Sequence, residues 1–315
     1  MATPRHRLID PQQPLFYHLV SRCVRKSWLC GWDKTTRRDY SHRKNWLIRR
    51  LEQLSIAFPV EVHAYAIMSN HFHLVVYYDP LACSKWTDED VVRRWLCACP
   101  PRSKDGTTDV ELLTLLAEQL LQQPEKISAI RQRLGSLSTF MQLLKQPIAR
   151  KANLEDGCKG HFFEQRFYSG ALLDEAAVQA AMAYVDLNLI RAKIAKTLAE
   201  CKHTSLAHRL RQEDLKALLP EDIAPIFSGL ERKAKLPITL AAYVQYLEGL
   251  IHLQQASGEK LSRWQQWVSA LKKQQRVYGS MGRIANWLAE RNMHCLLYTS
   301  PSPRDQRGSR MPSSA

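Results

Sequence analysis

The stretch HAYAIMSNHFHLVVYYDP, residues 63–80, sets His71 and His73 on either side of Phe72 in an apolar run. Leu74, Val75, Val76, Tyr77 and Tyr78 have the branched or aromatic shapes that strands favour, and MSN just before them reads as a turn. Successive strand residues point to opposite faces, so the two imidazoles share one face and Phe72 takes the other. VEVHAYAI ahead of the turn supplies the other arm of a hairpin. Two neutral imidazoles side by side suit a divalent metal. On spacing alone the plainer reading is stronger: two histidines at a strand end, bonded to backbone or water. The rest of the chain has to decide.

With 315 residues the chain suits one large domain or two smaller ones. A hydrophobic fraction of 45% with 24% charged residues describes a globular protein. No apolar run approaches the ~20 residues that span a bilayer, and the opening MATPRHRLIDPQQP lacks a signal-peptide core. The expectation is a cytoplasmic protein without membrane contact. The eight cysteines form no CxxC pair, which predicts reduced thiols and no structural zinc. Lys and Arg total 45 against 30 acidic residues, a formal charge of +15. That excess favours a polyanion, most often nucleic acid, although basic balance alone is a weak signal.

FYHLVSRCV (16–24) reads as a strand, and apolar residues at helical spacing predict a helix over 34–58. Residues 80–135 have a different character, with WTDEDVVRRWL and DVELLTLLAEQLLQQ as two helices around the loop CPPRSKDGTTD, and read as a helical insertion. Thr87 suits a capping box only loosely. A further helix spans 136–153, interrupted near Pro147. GHFFEQRFYSGALL (160–173) reads as a strand, and 174–195 as a helix capped by Asp174. Helices are expected at 236–255 and 261–279. The segment 295–315 is rich in Ser, Pro and Arg without periodicity. It reads as a disordered, foreign tail, the natural chain continuing differently past about residue 294.

The helix at 174–195 places Tyr184 and Asn188 four apart, on one face. A tyrosine beside a metal site can attack a phosphodiester, and an asparagine one turn on can offer its carbonyl oxygen to the metal. By helical pattern alone Tyr184 is core and Asn188 a helix-end hydrogen-bonder.

Three ordered blocks, AYAIMSNHFHLVV, GHFFEQRFYSGALLDEAA and MAYVDLNLIRAKI, together resemble the REP-associated tyrosine transposases, the single-tyrosine branch of the HUH nucleases. The opening YHLVSRCVRKSWLCG is similar to the start of the longer members, and the likeness covers about residues 5–210. The resemblance implies an α+β fold: a central antiparallel sheet of ferredoxin-like or RNA-recognition-like form, flanked by helices. It implies His71 and His73 as ligands of Mg²⁺ or Mn²⁺, Asn188 as a third ligand and Tyr184 as the nucleophile. Arg22, Arg25, Lys26, Arg166, Arg191 and Lys193 become phosphate contacts, while Phe162, Phe163 and Phe167 serve as core or as stacking partners. One departure stands out: the family's Asn-Pro is Asn188-Leu189 here.

The domain expectation is 1–210 for the transposase unit, with its insertion at about 80–135, and 211–294 for a helical C-terminal region. The implied function is a metal-dependent endonuclease and strand transferase on single-stranded or hairpin DNA, acting as monomer or homodimer through a 5′-phosphotyrosine. A replication-initiator or relaxase-type nuclease is the alternative within enzymes. A non-catalytic, domesticated DNA-binding protein is the alternative outside them.

Overall fold

The computed structural model describes residues 5–24, 30–33, 37–103, 106–164, 166–212, 222–230, 234–255, 263–291 and 293. Arg25, Lys26 and the segment 295–315 lie outside the described residues.

The first half of the chain runs β1 (Leu15–Arg22), α1 (His42–Ala57), β2 (Val60–Ile67) and β3 (His71–Tyr78). Next come α2 (Asp88–Ala98), α3 (Val110–Leu121), α4 (Pro124–Leu134) and α5 (Leu137–Glu155). The remainder holds β4 (Tyr168–Leu172), α6 (Glu175–Asp186), α7 (Asn188–Arg191) and α8 (Ser205–Gln212). It closes with α9 (Leu240–Gln255), α10 (Arg263–Lys272), β5 (Val277–Tyr278) and α11 (Met281–Glu290).

The sheet order is β2-β3-β1-β4-β5, antiparallel except where β5 joins β4. With α1 after β1 and α5 before β4, this is the ferredoxin-like βαββαβ arrangement. Alternation along each strand divides the core in two. Tyr17, Leu19, Phe72, Leu74 and Val76 face α1 and α5, against Leu47, Leu51, Phe140 and Leu144. Val20, Ala64, Ala66 and Val75 face the other way, toward Ala177, Ala181, Met182 and Val185 of α6. Alanines on both sides of that layer let the helix lie close to the sheet. His63 falls at a bulge between Val62 and Ala64.

Several expectations meet local competition. The helix foreseen from residue 34 starts at His42, because Asp39 accepts hydrogen bonds from Ser41 N (2.9 Å) and Ser41 Oγ (2.6 Å) and makes a turn instead. The strand foreseen over 160–173 is confined to Tyr168–Leu172. Ahead of it, Val24 N donates to Phe162 O (3.1 Å) and Glu164 N to Arg22 O (2.8 Å), which ties a loop to the exit of β1. The helix foreseen over 174–195 breaks at Leu187 and ends at Arg191, and Lys193 turns the chain with φ of 57°. Leu236–Thr239 is a strand and not the start of α9, in keeping with the extended backbone that Pro237 imposes on its predecessor. Thr87 forms a full capping box with Asp90, and α5 runs continuously through Pro147.

Residues of the expected C-terminal region share the sheet and its second core. Ala171 and Leu172 pair with Val277 and Tyr278. Tyr243, Leu247, Trp264 and Leu271 pack with α6. No helix among the described residues is long and apolar enough to cross a membrane, and the described cysteines are free thiols.

Candidate active site

The sheet and α6 bring residues more than a hundred positions apart into one cluster. In the β1–β3 register Arg22 lies opposite His71 and Val20 opposite His73. His71 and His73 therefore share the face turned toward α6, and Phe72 enters the opposite core. Their rings sit 4.9 Å apart between centroids, edge to face. The Tyr184 and His73 ring centres lie 5.7 Å apart in an edge-to-face arrangement, and the Arg191 guanidinium carbon lies 4.1 Å from the Tyr184 ring centre. Asn188, at the start of α7, is buried, with Nδ2 lacking a partner among the described residues; Arg191 Nη1 also lacks one.

A third imidazole joins the cluster. His18 on β1 is fully buried, with Nε2 3.0 Å from His73 Nδ1. It also meets the Tyr184 ring at 5.9 Å. The sequence reading did not single it out. One signal was available: His18 shares a strand face with Phe16, Val20 and Arg22, but only the β1–β3 register shows that this is the face of the histidine pair.

Burial keeps these imidazoles neutral. Loss of water pushes His18 down to about 3. The same cause, with a smaller contribution from Arg22, pushes His71 down to about 4. His73 lies well below its ordinary value, again through burial first and then through His18, His71, Arg22 and Arg191. A neutral imidazole keeps a lone pair for a metal. His71 Nδ1 lies 2.7 Å from Asn70 Oδ1, an atom that only accepts, so Nδ1 carries the hydrogen and Nε2 the lone pair. Such a hydrogen bond on the far nitrogen is how metal-binding histidines are oriented. Among the described residues no set of three or more His, Cys, Asp or Glu side chains is placed to hold a metal ion.

The other expected contacts divide. Arg22 is exposed at the strand end beside His71, and Arg191 belongs to the cluster. Lys193 is exposed past the end of α7. Arg166 is exposed on a groove of about 730 Å³ between α5 and the loop before β4, which Phe162, Phe163 and Phe167 also line. Phe163 and Phe167 are buried, so their main part is core.

No family model and no curated protein matches the chain. Among solved structures the chain is similar to a REP-associated tyrosine transposase bound to a REP hairpin. The identity is 14% and the TM-score 0.38, over 74% of this chain and 98% of that one.

Proposed function

We propose that this chain is a DNA-processing enzyme, a transposase-type nuclease that cuts single-stranded or hairpin DNA and passes the strand on through Tyr184. The observation that carries the reading is the cluster itself: a tyrosine ring in contact with the imidazoles of His73 and His18 and with the Arg191 guanidinium over its face. Packing alone gives no reason to sink three histidines into one face of a sheet. The net charge of +15 suits a polyanionic substrate.

In the proposed step the Tyr184 oxygen bonds to phosphorus as the bond from phosphorus to the 3′-oxygen breaks. The phenol gives up one proton and the departing 3′-oxygen gains one, so no nucleotide cofactor is consumed. The product is a 5′-phosphotyrosine and a free 3′-hydroxyl. Transfer to another 3′-hydroxyl reverses the same exchange. His71 and His73 would hold Mg²⁺ or Mn²⁺ through Nε2, with Asn188 as the third ligand implied by the sequence resemblance. When bound, that cation supplies charge to polarise a phosphate oxygen.

The test is to incubate the protein with labelled hairpin DNA carrying single-stranded flanks, with Mg²⁺ or Mn²⁺, and to look for a covalent adduct. The wild type should form one on Tyr184, and Tyr184→Phe should bind the DNA yet form none. A phosphotyrosine peptide recovered from Tyr184→Phe would move the nucleophile elsewhere. Absence of any adduct from the wild type would overturn the nuclease reading.

A further inference from the structure

The groove of about 730 Å³ between α5 and the loop before β4 has two walls of different chemistry. Its volume falls in the range of about 300–1,000 Å³ usual for ligand clefts. One wall is a face of α5, where Ser138, Gln142, Lys145 and Gln146 recur at helical spacing. Gln142 and Gln146 are exposed there, one turn apart. The other wall is aromatic: Phe162 is half-buried, and the buried ring of Phe163 meets it edge to face at 5.1 Å. Lys145 and Arg166 bring positive charge, against Glu164, the one carboxylate among the described lining residues. Lys145 Nζ lies 5.3 Å from the Phe163 ring centre and donates to Glu164 O at 3.0 Å. The groove backs onto the histidine site. Phe163 meets Phe72 edge to face at 6.1 Å, and Phe72 stands between His71 and His73 on β3. Glu164 N donates to Arg22 O at 2.8 Å, and Arg22 lies opposite His71. The two sites therefore occupy opposite faces of the same sheet end, and a strand that rounds the end of β1 passes from one to the other.

We propose that the groove seats one unpaired base from the single-stranded flank of the DNA. The base lies on Phe162, its edge meets the amides of Gln142 and Gln146, and Lys145 and Arg166 face the adjoining phosphates. The inference rests on the DNA substrate proposed above and adds to it a reading site away from the cut. The chemistry of the walls selects the occupant. An aromatic ring takes a flat partner, and an unpaired base offers its face for stacking whatever its sequence. Side-chain amides both donate and accept, so they match base edges that no complementary strand covers. Cations beside the ring neutralise the phosphates on each side. An apolar ligand would strip water from the two amides and give no hydrogen bond in return.

Binding measured without divalent metal separates this site from the chemistry. Hairpin DNA with single-stranded flanks, labelled for fluorescence anisotropy, is titrated with the full chain while an abasic site is moved along each flank. One position should weaken the wild type by about tenfold, the usual effect of losing a stacked base. Phe162→Ala should lose about the same on intact DNA and be indifferent to the abasic site at that position. With each of the four bases placed there, the wild type should separate best from worst by about fivefold or more. Gln142→Ala combined with Gln146→Ala should bind all four alike. Both glutamines are exposed, so that variant should fold, and it decides the matter if Phe162→Ala does not. The proposal is overturned if no flank position matters, or if the glutamine variant keeps the wild-type base preference. A hairpin bound as tightly without flanks overturns it too. Protein that reads the flank yet forms no adduct with metal keeps this site and loses the nuclease reading; protein that binds no DNA loses both.

Discussion

Nε2 of His18 lies 3.0 Å from Nδ1 of His73, and the two rings are within 8° of parallel. One proton is shared between those nitrogens. If His73 carries it, Nε2 of His73 keeps its lone pair for a metal and His18 accepts. If His18 carries it, His73 takes the other tautomer and its Nε2 is blocked by hydrogen. A metal held by His73 Nε2 would select the arrangement in which His73 donates, so that His18 would act through His73 and not on substrate. His18→Phe keeps a ring of similar breadth and removes the acceptor. It should weaken Mn²⁺ binding by about 10–100-fold, the usual cost of losing such a partner. Calorimetry on the DNA-free protein measures this, and an unchanged affinity would leave His18 as packing alone.

Acid should unfold the metal-free protein early. His18, His73 and His63 are buried, and burial lowers the proton affinity of each below that of an unfolded histidine. From about pH 6.5 downward the unfolded chain binds protons that the folded chain refuses, so stability falls as pH falls. Their contribution is fully present above the unfolded value near 6.5 and is lost toward the folded value, about 3 for His18. Each group adds a slope of at most about 1.4 kcal/mol per pH unit. Urea titrations at pH 7.5 and 5.5 should show the drop, and His63→Gln, away from the site, should flatten it. Equal stability at both pH values would mean these rings take up protons in the folded state.

The strand pairing of the histidines was legible because alternation is a local rule, and residues 71–78 obey it. Tyr184 and Asn188 were placed on one helix face by the same kind of counting. His18 was hidden because its role depends on register between strands 55 residues apart in the chain. The short strand at Val277–Tyr278 was hidden for a similar reason: two residues carry no periodicity, and only pairing with Ala171 and Leu172 makes them a strand. Asp39 and Ser41 defeated the expected start of α1 through side-chain bonds that helix counting ignores.

Gly170 should tolerate no side chain. A methyl group there would sit 2.6 Å from the Tyr278 ring and press on the Tyr168 hydroxyl. That hydroxyl lies 2.7 Å from the Tyr278 hydroxyl and also donates to Gln275 O, so it cannot move without unseating β5. Gly170→Ala should cost about 1–3 kcal/mol in urea unfolding, the usual range for overpacking. A variant as stable as the wild type would show that the segment around Gln275 and Tyr278 yields easily.

Asp186 anchors the tyrosine helix from behind. Its carboxylate has no exposure to solvent and accepts from Leu206 N at 3.0 Å, Tyr243 Oη at 2.9 Å and Ser205 Oγ. Those donors come from α8 and α9, so one side chain ties α6 to the C-terminal half. Asp186→Ala leaves Leu206 N and Tyr243 Oη without their acceptor, while Ser205 Oγ keeps Tyr65 O at 3.3 Å, and at about 1 kcal/mol or more for each orphaned donor the loss should reach about 2 kcal/mol. Tyr243→Phe removes one donor from a carboxylate that retains two, and should cost about 1 kcal/mol. The two variants should differ at the active site as well. Asp186→Ala frees the end of α6 two residues from Tyr184, so adduct formation should fall in protein that is still folded. Tyr243→Phe should keep nearly the wild-type rate. Urea unfolding and adduct yield measured on the same preparations test both halves of the argument. Equal small losses of stability would show that the carboxylate does not hold the helix, and a full adduct rate in Asp186→Ala would show that Tyr184 is positioned by the sheet alone.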